Sequence, residues 1–133
     1  MSSSLPITIL THEARWKGLA PTVTRAATAV LTKQRIKKFA ITFVLTNDTE
    51  IKTLNRDFRG KHKPTNVLSF PDGSVEGSVT QLGDVVLAYE TIAHEAASQN
   101  KKLKHHLTHL TIHGVLHLLG YDHETSPRDE ELM

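Results

Sequence analysis

The stretch Phe39-Ala-Ile-Thr-Phe43-Val-Leu45-Thr-Asn47-Asp48-Thr-Glu-Ile51-Lys-Thr-Leu54-Asn-Arg-Asp-Phe58-Arg59-Gly60 holds a strand and a helix end to end. Residues 39–45 are β-branched and aromatic enough to read as a strand. Asn47 and Asp48 can cap the next segment, residues 49–58, which places Ile51, Leu54 and Phe58 on one helical face. Gly60 ends that helix.

Working outward, Pro6-Ile-Thr-Ile-Leu10 alternates apolar and polar residues as a short first strand. Residues 21–38 carry Val23, Ala26, Ala27, Val30, Leu31 and Gln34 at helical spacing, with Arg25, Lys33, Arg35, Lys37 and Lys38 mostly elsewhere. Beyond Gly60, the basic connection Lys61-His62-Lys63-Pro64 leads into a strand at residues 67–70, closed by Pro71-Asp72-Gly73. Residues 73–80 read as a turn or hairpin tip, residues 82–88 as another strand and residues 89–104 as a helix with a polar Ser98-Gln99-Asn100 end. A last helix runs from Leu103 or His105 to Leu119 and stops at Gly120, which suits a left-handed cap. Residues 122–133 are an acidic end, helical or frayed. The order βαβαββαα predicts an α+β fold, a single domain over residues 1–133 with a small central mixed sheet packed with helices.

The composition narrows the chemistry. A chain of 133 residues buries roughly two-thirds of the surface its unfolded form exposes, so it needs no disulfide to build a core. The absence of cysteine excludes disulfide scaffolds, iron-sulfur clusters and thiol nucleophiles, and any metal site must use His, Asp or Glu. No stretch approaches the ~20 apolar residues of a membrane span. Residues 1–11 have neither a charged nor an apolar signal region, so a cytoplasmic location without membrane partners is expected. The net charge of +2 is mildly permissive of an anionic partner.

Histidine is the anomaly: there are nine, and seven lie between His94 and His123. His113 and His117 are four apart in the most apolar helix, and four residues rotate about 400° and rise about 6 Å, so both imidazoles leave from one face. A reversal at Gly120 can return His123 toward them. Three neutral imidazoles and an open position form a catalytic zinc arrangement on a helix and the turn after it. His105, His109, His113 and His117 all recur at this interval, so spacing alone does not select the pair. His109 reads equally as support behind the ligands or as packing, and His12, His62, His94, His105 and His106 as ordinary surface residues. The same spacing occurs in zinc peptidases, but there a Glu comes directly after the first His as general base, and here that position is Gly114.

Taken together, His109-Leu-Thr-Ile-His113-Gly-Val-Leu-His117-Leu-Leu-Gly120-Tyr121-Asp122-His123 is similar to a motif of the YbeY family of bacterial endoribonucleases. The stretches Leu54-Asn-Arg-Asp-Phe58-Arg59-Gly60, Thr65-Asn66-Val67-Leu68-Ser69-Phe70-Pro71 and Leu82-Gly83-Asp84-Val85-Val86 resemble that family in the expected order. The resemblance covers residues 39–124, while the first forty residues match only as a strand and then a helix. It implies one zinc ion per chain at His113, His117 and His123, and a functionally important Arg59. It also implies metal-dependent cleavage of single-stranded RNA in maturation of the small-subunit ribosomal RNA 3′ end, and in ribosome quality control. The implied partners are ribosomal RNA precursors and components of the ribosome or its small subunit, with no DNA expected. The family's helix after the histidine motif is expected to be short or missing here.

The residues suit that chemistry. A phosphodiester passes through a more highly charged transition state, which a metal and a guanidinium stabilise. Arg59 can hold two non-bridging oxygens in a fork, as lysine cannot. Arg56, Lys61, His62 and Lys63 make a cationic run in which Lys61 and Lys63 are candidate substrate contacts, although such a run at a helix end is also ordinary solvated surface. Phe70 and Tyr121 are candidates for base stacking or for the core. Asp122 reads as an imidazole-orienting carboxylate, a proton acceptor or a turn residue, and Asp84 as a turn residue or a pocket carboxylate. The general base stays unassigned. Two alternatives stand beside the nuclease: a ribosome-associated RNA-binding factor with a structural metal, and a zinc peptidase with another base.

Overall fold

The computed structural model describes residues 6–120. The stretch from Phe39 to Gly60 folds as its chemistry dictates. Strand β2 (Phe39–Thr46) passes to helix α2 (Asp48–Arg59) at Asn47, whose side-chain oxygen accepts the Glu50 N–H at 2.9 Å. That bond satisfies one of the orphan donors of the first turn. Gly60 closes α2 at φ 70°, and its N–H donates to the Arg56 carbonyl at 3.0 Å.

Around this unit lie β1 (Ile7–Thr11), a 3-10 turn (Ala14–Trp16), α1 (Ala20–Lys33), β3 (Val67–Pro71), β4 (Val75–Glu76), β5 (Val79–Ala88), α3 (Tyr89–Ser98) and α4 (Leu103–Leu118). Two helices end earlier than periodicity predicts. Residues 21–38 do not form one helix: Arg35 turns left-handed at φ 61°, and the Ile36 N–H donates back to the Leu31 carbonyl at 2.9 Å. This closure folds Ile36 against the core, which straight continuation would not do. The helix predicted over residues 89–104 likewise breaks at Asn100, with φ 58° and the Lys101 N–H on the Ala96 carbonyl at 2.8 Å. β5 begins at Val79 rather than 82, because the hairpin tip pairs Val75 with Thr80.

The sheet has five strands in the order β1-β2-β5-β3, with β4 also on β5. β1, β2 and β5 run parallel, and β3 and β4 run antiparallel to β5. The mixed α+β architecture expected from the sequence is therefore present. Alternation divides the strands: Phe43, Leu45, Val85 and Leu87 join a core with Trp16, α1 and α4, while Val86 and Ala88 join Ile51 and Leu68 under α2. Trp16 is pinned by its indole N–H, which donates to the Thr46 carbonyl at 2.7 Å. Among the described residues no helix is long and apolar enough to cross a membrane.

Gly83 sits where β2 and β5 slip in register, at φ 129°. A β-carbon there would fall 2.2 Å from the Phe70 carbonyl oxygen, so only glycine lets β3 approach β5 at this point. That approach helps place β3 at the edge of the sheet beside α4.

Candidate metal centre

Helix α4 buries Leu107, Leu110, Thr111, Gly114, Val115 and Leu118, a stripe at helical spacing. Its seat on the sheet is close because Gly114 has no side chain: a β-carbon there would meet Val85 Cγ1 at 2.9 Å. The Ser69 hydroxyl donates to the Gly114 carbonyl at 3.3 Å and ties β3 to the helix. His113 and His117 flank this seat, exposed and half-buried respectively.

The last turn of α2 approaches from the other side of β3. Arg59 and Phe58 line, with His113, His117 and the four residues Val67 to Phe70, one cleft of about 380 Å³. Four of the five β3 residues line it, so the cleft runs along the sheet edge. The structure thus brings together three residues singled out in the sequence, Arg59, His113 and His117. His123, Tyr121 and Asp122, together with the expected shortness of the final helix, lie outside the described residues. Among the described residues no three His, Cys, Asp or Glu side chains form a metal-holding group.

Lys61 and Lys63 are exposed in the connection after Gly60 and do not line the cleft. The connection is held against α2 by Asn55, which is 1% exposed and donates from Nδ2 to the Lys63 carbonyl at 2.9 Å. His62 folds back beside Lys52 and Arg56 at a separate surface hollow on α2. Arg56 is paired there with Asp57 at 3.0 Å, an exposed contact of little energetic weight.

Four sequence readings gain or change meaning. Phe58 lines a groove together with Leu54 but is not buried as Ile51 is: it is 67% exposed and meets Phe70 edge-on, with centroids 5.3 Å apart. Its place beside Arg59 in a polar run was the only signal. His106, read as surface, is 4% exposed, and its Nε2 lies 2.8 Å from Glu95 Oε1. Glu95 also accepts from Asn66 Nδ2 at 2.9 Å, and the Asn66 carbonyl accepts from Ala88 N–H, joining α3, α4 and the start of β3. His109, by contrast, is exposed rather than packed. Asp84 lies on the sheet face under α2, and burial, with a smaller contribution from nearby Asp72, raises its pKa above the ordinary 3.8.

The chain as a whole is similar to known proteins. The profile described as "Endoribonuclease YbeY" matches residues 8–133. A protein of that name from Azorhizobium caulinodans is 43% identical over 96% of this chain and 86% of its own length. One from Parvibaculum lavamentivorans is 47% identical over 91% of this chain and 72% of its own. The match to a Rhodopseudomonas palustris relative, 52% identical, covers 67% of this chain and only 49% of that protein. A solution structure of a Thermotoga maritima protein superposes with TM-score 0.63 at 31% identity, covering 92% of this chain and 77% of that one.

Proposed function

The chain belongs to the YbeY endoribonuclease family, and on that premise we propose that it is a zinc-dependent endoribonuclease. Its substrates are single-stranded regions of ribosomal RNA precursors, at the 3′ end of the small-subunit RNA, and it serves ribosome quality control. It acts as a single domain over residues 1–133, in the cytoplasm, with the ribosome or small-subunit components as partners and no membrane. One observation carries the reading: Arg59, His113 and His117 line the same cleft.

The donor set fits a divalent ion. Two imidazoles one helical turn apart open on one cleft, both are nitrogen donors, and His123 is the third proposed ligand. When bound, the ion supplies Lewis acidity and lowers the pKa of water to about 7. Arg59 grips the non-bridging oxygens of the phosphodiester and stabilises the charge that grows on them. Lys61 and Lys63 attract the flanking backbone from outside the cleft. The β3 edge and the two phenylalanines shield one side of the phosphate from water, which strengthens each of these attractions. A peptidase would need a carboxylate beside the first ligand, and position 114 points at Val85 with no room for one.

Purified protein should contain stoichiometric zinc and cleave a precursor small-subunit RNA fragment. His117→Ala and Arg59→Ala should each lower cleavage about 10²-fold or more, Arg59→Ala without loss of zinc. Undiminished cleavage in both variants would sink the enzymatic reading. RNA binding that ignores a chelator and never leads to cleavage would instead assign the chain to the binding factors.

A further inference from the structure

We propose that a second groove, between α2 and the uncovered part of the sheet, is a nucleobase subsite that holds one base of the RNA whose phosphate lies at Arg59. This rests on the endoribonuclease reading of the neighbouring cleft. The groove is about 410 Å³, with Val44, Leu54 and Val86 as an apolar floor. It exists because α2 covers only part of that sheet face, so that Leu10, the partner of Val44 in register, stays 45% exposed.

Continuity with the metal cleft decides what the groove takes. Phe58 and Phe70 line both spaces and form the wall between them. On one side of that wall stand Arg59, His113 and His117, and on the other Asp84 and Glu50, the latter beside His12. A phosphate is attracted to the first side and repelled from the second, whereas an unstacked base suits apolar floor and aromatic wall. A strand lying across Phe58 therefore places its phosphate and its base in different compartments.

Asp84 gives the groove a means of discrimination. It is the cross-strand partner of Phe70, and its carboxylate accepts no hydrogen bond among the described residues. Glu50 is already engaged, accepting from the Thr46 hydroxyl and lying 2.9 Å from His12 Nδ1. A lone acceptor at the rim favours a base with an exocyclic amino group, such as cytosine through N4, over uracil, which offers a carbonyl there. A base held in a duplex cannot reach the groove, so the subsite also selects for single strands.

The test is a methyl NMR titration of the full chain with cytidine 5′-monophosphate, uridine 5′-monophosphate and ribose 5-phosphate. Both nucleotides should shift the methyls of Val44, Leu54 and Val86, and ribose 5-phosphate should not. Phe58→Ala, at an exposed position, should weaken both nucleotides about tenfold, the scale of one stacked base. Asp84→Asn should erase the preference for cytidine, because the neutral amide can donate to the uracil carbonyl as well as accept from the cytosine amino group. Equal shifts with ribose 5-phosphate, or no nucleotide shift in the groove, would overturn the proposal. So would groove shifts that track protein concentration alone, which assign the surface to a second copy of the chain. Oligoribonucleotide cleavage is scored separately: its absence defeats the enzymatic reading, while the nucleotide titration still decides the subsite.

Discussion

Gly114 and Val85 are in contact without an intervening side chain: a β-carbon on Gly114 would lie 2.9 Å from Val85 Cγ1 and 3.4 Å from Ser69 Oγ. This seating sets the height of α4 over the sheet, and with it the position of His113 and His117 beside the β3 edge. The residue between the first proposed ligand and the helix interior is thus a packing residue, which explains why a catalytic carboxylate has no place there.

Gly114→Ala gains about 1 kcal/mol of helix propensity but forces a methyl against a stiff β-branched side chain, an overpacking cost of about 1–3 kcal/mol. The expected result is a net loss of about 1 kcal/mol in urea unfolding and a weaker hold on zinc. Gly114→Glu should lose about 3 kcal/mol or more, since it also buries a charge. Wild-type stability in Gly114→Glu would show that α4 does not seat on Val85.

Gly83→Ala is expected to be the more damaging glycine substitution. Its β-carbon meets a backbone oxygen, that of Phe70, at 2.2 Å, and φ 129° is closed to other L-residues. A loss of about 3 kcal/mol or more should appear in thermal unfolding, together with faster amide exchange along β3. An unchanged melting temperature would contradict the bulge at this register slip.

Asn55→Ala removes the side-chain bond that holds the Lys63 carbonyl. The cost should be about 1–2 kcal/mol, because one buried hydrogen bond is lost and its acceptor is left without that donor. RNA affinity should fall while zinc content stays the same, since the connection carrying Lys61 and Lys63 loosens but α4 does not. Equal loss of zinc would show that the two regions are not separable.

The two groove carboxylates should give opposite pH dependences. The Thr46 hydroxyl, and then His12, hold Glu50 below its ordinary 4.5, so its contribution to stability is present above that value and is lost as pH falls through the lowered one. Burial and Asp72 raise Asp84 above 3.8, so stability falls as pH rises from 3.8 through the raised value. Asp84→Asn should therefore be more stable than the parent at pH 7, and Glu50→Gln less stable and less sensitive to acid. Denaturant midpoints between pH 3 and pH 7 check both signs.

Local chemistry made several features legible from residues alone. Asn47 before an amphipathic run marked the start of α2, Gly60 its end, and the mixed sheet came from the order of strands and helices. Helix ends were less legible where the terminating residue was Arg35 or Asn100, because neither is the glycine that usually marks a left-handed cap, and the closure depends on what Ile36 can pack against.

By itself the sequence determined that His113 and His117 share a helical face, since that comes from 3.6 residues per turn and needs no partner. It also determined that any metal site is free of thiolate. It did not distinguish this pair from His105 and His109, which have the same spacing. The tertiary structure brings the last turn of α2 and the edge of β3 to one end of α4, so that among the described histidines of that helix His113 and His117 line the cleft with Arg59. It also decided that His106 is buried against Glu95 and that Phe58 faces solvent. Spacing describes a residue's direction from its own helix axis, whereas burial and companionship depend on which distant segment arrives on that side.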